Sequence, residues 1–287
     1  MSLDFSVGDP VGEEAKFVII KKLGQGAFGS VYEAKDRESG DVKALKFFGK
    51  VEELYAERAV YMQLGNCSGA PFADGWSPVN KPFYLSLSVE GESFEKIRVK
   101  SKHGMITSRR LLSLAWHSIE AVKSVHQMGV LHRDLHSGNL CRSLSPNKSK
   151  VILIDFGMAF IVKRENGHRI YDNKVLRRTG HCSLRVARGV PNQEPDDLHS
   201  LALIFVKARK AWGFKKADLA TQIVQKEKLF DDPANFLGPD EQFLAPILQE
   251  IYQQPYDSNT LPDYSQIQKT IEHTKHFHKY YAFDDNA

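Results

Sequence analysis

Asp134, Asn139 and Asp155 are the residues whose types and spacing could do chemistry. They stand in the runs His132-Arg133-Asp134, with Asn139 five residues on, and Asp155-Phe156-Gly157. One carboxylate can accept a proton. The Asn139 amide oxygen and the second carboxylate can ligate a hard cation. Transfer of a phosphoryl group from a nucleoside triphosphate to a hydroxyl needs that set, because its work is positioning and charge neutralisation.

A triphosphate also needs a backbone cover and a fixed cation. Leu23, Gly24, Gln25, Gly26, Ala27, Phe28 and Gly29 form a glycine-rich run that leads into Ser30 and Val31. Its glycines let the backbone approach phosphate oxygens with no Cβ in the way. Taken alone, G-x-G-x-x-G also fits a dinucleotide fold, which needs a helix opening at the third glycine. Here two strands follow, with a turn at Ser39-Gly40, and the second strand carries Ala44 and Lys46. Lys46 is the candidate cation, and Glu52, Glu53 and Glu57 are candidate partners. All three lie in a segment, 51–64, whose apolar spacing predicts a helix. Each part has an ordinary reading, a lysine at a strand edge or a glutamate on a helix surface. Their order along one chain carries the functional one.

Composition agrees. The 287 residues are 42% apolar and 26% charged, enough for a sizeable core in one or two domains. The net charge of +4, with no long basic run interleaved with aromatics, argues against nucleic acid. No secretory signal or membrane-length apolar run is visible. Cys67, Cys141 and Cys182 are widely spaced and form no C-x-x-C pair, which reads as free thiols in a reducing compartment. The expectation is an intracellular, cytoplasmic or nuclear monomer without membrane partners.

These motifs resemble the glycine loop, strand lysine, catalytic loop and metal-binding turn of eukaryotic protein kinases. The resemblance implies an α+β, bilobal fold: an extension at 1–16, a strand-rich lobe at 17–87, a hinge at 88–91, a mainly helical lobe at 92–279 and a tail at 280–287. It implies catalytic roles for Asp134, Lys46 and Asn139, with Mg2+ on Asn139 and Asp155. The ATP site would comprise Leu23, Gly24, Gln25, Gly26, Ala27, Phe28, Gly29, Val31, Ala44, Lys46, Glu57, Leu87, Val89, Cys141 and Asp155. Leu87 would guard the back of the pocket, Val89 would supply the hinge backbone contact, and Cys141 would form the floor.

Further signals are similar to casein kinase 1-like kinases, including the tau-tubulin and nematode-expanded branches. The helix at 51–64 resembles theirs and singles out Glu57 as the partner of Lys46. Gly91-Glu92-Ser93-Phe94-Glu95, Thr179-Gly180, the run from Asp196-Asp197 to Leu201, and Pro262-Asp263-Tyr264 resemble family motifs. The resemblance implies that Asp197 starts a buried helix as its N-cap and accepts N–H groups from the catalytic loop. It also implies protein serine or threonine hydroxyls as substrates, with acidic segments one reading of their context.

Thr107 or Ser108 is expected to cap a helix that buries Leu111, Leu112, Ala115, Ile119, Val122 and Val125 and ends at Gly129. Two departures stand out. His136 replaces the usual catalytic-loop lysine; either it weakens transfer and makes it pH-dependent, its charge present only near or below pH 6.5, or it is a tolerated substitution. Ser183 falls where the family has an arginine. The segment 163–188 is nonetheless basic, with lysine or arginine at 163, 164, 169, 174, 177, 178, 185 and 188. It reads as a solvated loop, as a surface for acidic substrates through Arg178 and Arg185, or as a cluster that with Arg133 binds a phosphate on the segment itself. Three function classes follow: an active protein kinase, a kinase-fold binding module, and a small-molecule phosphotransferase of related fold.

Overall fold

The computed structural model describes residues 4–26, 29–77, 82–174, 180–209, 218–257 and 259–277. Its first half holds β1 (Pro10–Val11), β2 (Phe17–Gly26), β3 (Gly29–Asp36), β4 (Val42–Phe48), α1 (Val51–Leu64), β5 (Ala73–Trp76) and β6 (Phe83–Ser88). The strands form one antiparallel sheet in the order β1-β2-β3-β4-β6-β5. Strand alternation separates two apolar clusters. Ala44 and Phe48 join the main core under α1, while Leu45 and Phe47 join Ile19, Tyr32, Ala34 and Tyr84 in a second cluster. The sheet reaches beyond the lobe boundary expected at 17: β1 pairs with β2, and Phe5 packs on Tyr32 and Phe47.

Local chemistry sets these elements. Asp36 accepts from the N–H groups of Glu38 and Ser39, and Gly40 takes φ 78°, so the β3–β4 turn closes where expected. Glu52 and Glu53 sit in the first turn of α1, favourable to the helix dipole, and Gly65 at φ 53° ends it. Gly29 has no alternative: at φ 136° an added Cβ would lie 1.8 Å from the Phe47 carbonyl oxygen.

The second half begins with α2 (Phe94–Lys100) and α3 (Ser108–Gln127). Thr107 caps α3 by accepting from Arg110 N–H, the six expected positions are buried, and Gly129 follows at φ 71°. Short strands then frame two loops: β7 (Val130–Leu131), β8 (Leu140–Arg142), β9 (Val151–Leu153), β10 (Phe160–Ile161), β11 (Lys163–Glu165) and β12 (His168–Ile170). Helices complete the lobe: α4 (Leu184–Ala187), α5 (Glu194–Arg209), α6 (Leu219–Asp231), α7 (Pro233–Phe236), α8 (Ala245–Tyr252) and α9 (Tyr264–Phe277). Among them α5 is buried along nearly its whole length and packs against α3 and α8. The architecture is α+β, a sheet-based lobe beside a helical one, as expected.

One correction concerns the start of α5. Asp197 is not its N-cap, because the helix begins three residues earlier, at Glu194. Asp196 does the capping work instead, its carboxylate reaching back to Gln193 N–H at 2.8 Å, half of a capping box.

Candidate active site

Lys46 is almost wholly enclosed, its side chain 6% exposed. Its Nζ lies 2.5 Å from Glu57 Oε2 and 2.6 Å from Asp155 Oδ1. Glu57 is the buried member of the three candidate glutamates on α1, at 1% side-chain exposure. Burial alone would lower the pKa of Lys46, but the two carboxylates outweigh it and the ammonium is held charged. Burial likewise opposes the charge on Asp155, and Lys46 overcomes it, so this carboxyl stays below its ordinary value. Phe156 then turns inward between Tyr61 of α1, 5.4 Å between ring centroids, and His132, 4.9 Å. Helix α1, the Asp155 turn and the catalytic loop are thus one packed unit.

The glycine run covers this unit. A Cβ on Gly26 would lie 3.9 Å from Asp155 Oδ2. Ala27 and Phe28 lie outside the described residues. Ala44 pairs with Leu87 across the sheet, and both belong to the core cluster against which Leu23, Val31 and Val89 pack. Cys141 on β8 is buried, and burial pushes its thiol up to about 12, so it acts as a small hydrophobe.

The catalytic loop runs between β7 and β8 and is built on Asp197. Its Oδ2 accepts from His132 N–H at 2.8 Å and its Oδ1 from Arg133 N–H at 2.9 Å. His126 of α3 donates to the same carboxylate from Nε2 at 2.9 Å, and its Nδ1 meets Tyr264 Oη at 2.6 Å. These bonds hold Arg133 at φ 66°, a left-handed conformation costly for a non-glycine residue. Asp155 sits at φ 65° across the cleft. Asn139 Nδ2 donates to Asp134 O at 3.1 Å, which leaves its Oδ1 to a ligand. Among the described residues the Asp134 carboxylate is half-buried and takes no hydrogen bond.

Mg2+ fits this donor set. Asn139 and Asp155 offer hard oxygen atoms, and Mg2+ is commonly held by one or two protein groups together with substrate phosphates. Among the described residues no cluster of three or more His, Cys, Asp or Glu offers a competing metal cage.

His136 behaves otherwise than a lysine would. Its Nδ1 accepts from Gly138 N–H at 3.0 Å, and its ring lies 5.8 Å from that of His181. Burial lowers its pKa, more than Asp134 raises it, so the ring is neutral at pH 7 and charges only below the pH 6.5 expected from its ordinary value. It organises the loop through an acceptor nitrogen.

Three basic residues of the segment, Arg169, Arg185 and Arg188, make internal contacts. Arg133 donates to Asp172 at 3.0 Å and to the carbonyls of Met158 and Ala159, so its partner is an aspartate of the segment rather than a phosphate. Arg169 is buried beside Glu194 at 3.4 Å. Arg185 donates to Pro191 O at 2.8 Å and stacks on Tyr256. Arg188 pairs with Glu227. Ser183 caps α4 through Val186 N–H and donates to Asp196 at 2.5 Å. The serine in place of the family's arginine is therefore part of the scaffold. Arg177, Arg178 and Thr179 lie outside the described residues; Lys163, Arg164 and Lys174 are exposed.

Nothing local in the sequence marks His126 or Asp172 as partners of the loop. Tyr264 carried a signal, its place in the Pro262-Asp263-Tyr264 motif. A histidine inside α3 carried none.

The protein kinase domain pattern matches residues 17–251, and the chain belongs to the protein kinase family. It is 30% identical over 240 residues, 81% of this chain, to a probable serine/threonine-protein kinase of Dictyostelium discoideum. The chain spans about half the length of that relative, 48%. The fold is that of vaccinia related kinase 3, with a TM-score of 0.77 at 18% identity, over 96% of this chain and 93% of that one. No helix among the described residues is long and apolar enough to cross a membrane.

Proposed function

We infer that the chain is an ATP-dependent serine/threonine protein kinase of casein kinase 1-like type. The observation that carries this is Lys46 held between Glu57 and Asp155, with Phe156 packed between α1 and the catalytic loop. That arrangement leaves a charged amine and an ionised carboxylate facing a glycine-covered cleft, beside a carboxylate, Asp134, with unused acceptor capacity.

Val31, Ala44, Leu87 and Cys141 enclose the adenine, and the backbone at Val89 serves the hinge. Lys46 fixes the α- and β-phosphates, and Glu57 keeps it in place. Asn139 and Asp155 hold Mg2+, which when bound neutralises phosphate charge. Asp134 orients a serine or threonine hydroxyl and accepts its proton as the oxygen–phosphorus bond forms and the bond to the β-phosphate oxygen breaks. Among the described residues of the segment, exposed Lys163, Arg164 and Lys174 are basic groups open to an acidic substrate segment. Arg185 is committed to Pro191 and Tyr256.

The test is radiolabel transfer from Mg·ATP to casein and to a peptide library, with Asp134→Asn as control. The expected result is transfer by the wild-type chain and loss of at least about 100-fold in the variant, with an unchanged melting temperature. Wild-type turnover by Asp134→Asn would refute the mechanism. ATP binding without transfer to any protein would favour the binding-module reading, to which the neutral His136 points.

A further inference from the structure

The catalytic loop is held from a second side by a pair that the roles above do not use. Ser137 Oγ donates to Glu95 Oε2 at 2.6 Å, and Glu95 N–H donates back to Ser137 O at 2.8 Å. Two reciprocal bonds fix both distance and orientation between the first turn of α2 and the loop.

The carboxylate is itself fixed. Arg98 donates to it twice, from Nη2 at 2.8 Å and Nε at 3.2 Å, and Lys207 of α5 stands 3.9 Å away. The Arg98 hydrogen bonds, with Ser137 and Lys207 assisting against partial burial, hold the Glu95 carboxyl down at about 2. Behind the pair, Phe94 and Ile97 anchor α2 in the core. The preceding hinge is tied to β8 by Gly91 N–H to Arg142 O and Arg142 N–H to Glu92 O.

Ahead of the pair lies the turn that carries Asn139. Its N–H donates to His136 O at 2.8 Å, its side chain to Asp134 O, and its carbonyl accepts from Ile154 N–H. A shift of Ser137 therefore displaces the Asn139 amide and the Asp134 backbone together. We propose that Glu95 and Ser137 form a positioning clamp that sets Asn139 and Asp134 in register and couples the hinge to the catalytic loop. The clamp rests on the roles given to Asn139 and Asp134 above.

The experiment compares the full chain with Ser137→Ala, Ser137→Thr, Glu95→Ala and the Ser137→Ala/Glu95→Ala double variant. Four quantities are read: kcat, KM for ATP, the Mg2+ concentration at half-maximal rate, and the melting-temperature rise given by Mg·ATP over ATP with chelator. Ser137→Ala should lower kcat about 10-fold with KM for ATP unchanged, since a misplacement of about 1 Å can cost more than this. Its Mg2+ requirement should rise about threefold and its Mg2+-dependent melting rise should shrink, because Asn139 is the group displaced. Ser137→Thr, which keeps the hydroxyl, should restore all three. The double variant should be little worse than either single one, because both remove the same contact.

Wild-type kcat and Mg2+ dependence in Ser137→Ala and Glu95→Ala would overturn the clamp while leaving the kinase reading intact. Additive losses would overturn it as well. A wild-type chain that transfers nothing would sink the kinase reading. The clamp would then stand only if Ser137→Ala diminished the Mg2+-dependent melting rise.

Discussion

The catalytic loop and the end of the basic segment are both anchored on α5, by adjacent aspartates with different partners. Asp197 accepts from two backbone N–H groups of the catalytic loop and from the imidazole of His126. Asp196 accepts from the hydroxyls of Ser183 and Tyr256 and from Gln193 N–H. Both are buried, and burial raises both carboxyls. At Asp197 the hydrogen bond from His126, with the backbone donors, overcomes it and the carboxyl falls below its ordinary value. At Asp196 the Ser183 and Tyr256 hydroxyls, Gln193 N–H and the Arg185 guanidinium 3.7 Å away do not offset it, and the carboxyl stays raised. One aspartate fixes backbone and leaves the Asp134 side chain open for chemistry. The other fixes side chains and withdraws Ser183 from the surface.

Three measurements would break or sharpen that contrast. The largest effect should come from Asp197→Ala, which strips the acceptor from two buried N–H groups and a buried imidazole. Removing one partner of such a network costs about 3–5 kcal/mol, read by denaturant unfolding. A loss below about 1 kcal/mol would mean the loop does not depend on its brace.

A neighbouring group on α5 sets a pH window. His199 is buried against the rings of Phe230, Tyr252 and Tyr256, neither ring nitrogen has a hydrogen-bond partner among the described residues, and burial pushes its pKa down to about 3. Below its unfolded value, about 6.5, the unfolded chain binds a proton that the folded chain refuses. Stability should therefore fall as pH drops from about 6.5 toward 3, by about 1.4 kcal/mol per unit, or about 2 kcal/mol by pH 5. Unfolding curves of wild type and His199→Phe at pH 7 and pH 5 check this; an equal pH dependence in both would exclude His199 as the cause.

The smallest effect should follow Asp196→Asn. The carboxyl has a raised pKa, so folding favours its protonated form, and an amide oxygen keeps one acceptor for Ser183 or Tyr256. A loss within about 1.5 kcal/mol is expected, with little change in kinase turnover. A loss equal to that of the Asp197 variant would erase the distinction between the two aspartates.

Much of the site was legible because it lies in local runs. Gly29, the β3–β4 turn, Lys46 on its strand, the capped α3 and the Asp134–Asn139 spacing each follow from propensities and short-range geometry. The choice of Glu57 among three glutamates drew on resemblance, and burial on the inner face of α1 supplies its physical reason. The contacts of Asp197 were anticipated, but not the start of its helix. His126, Tyr264, Asp172 and the Glu95–Ser137 pair were not legible as partners, since each acts across a gap in sequence that no local pattern records.

By itself, then, the sequence determined which groups could do the chemistry and the order of the elements that carry them. Only the tertiary structure decided which charges remain available. Arg133, Arg169 and Arg185 are turned inward to Asp172, Glu194 and Pro191, and His136 is neutral with one nitrogen committed. A charged side chain's role depends on the dielectric and partners around it, and those are set by long-range packing.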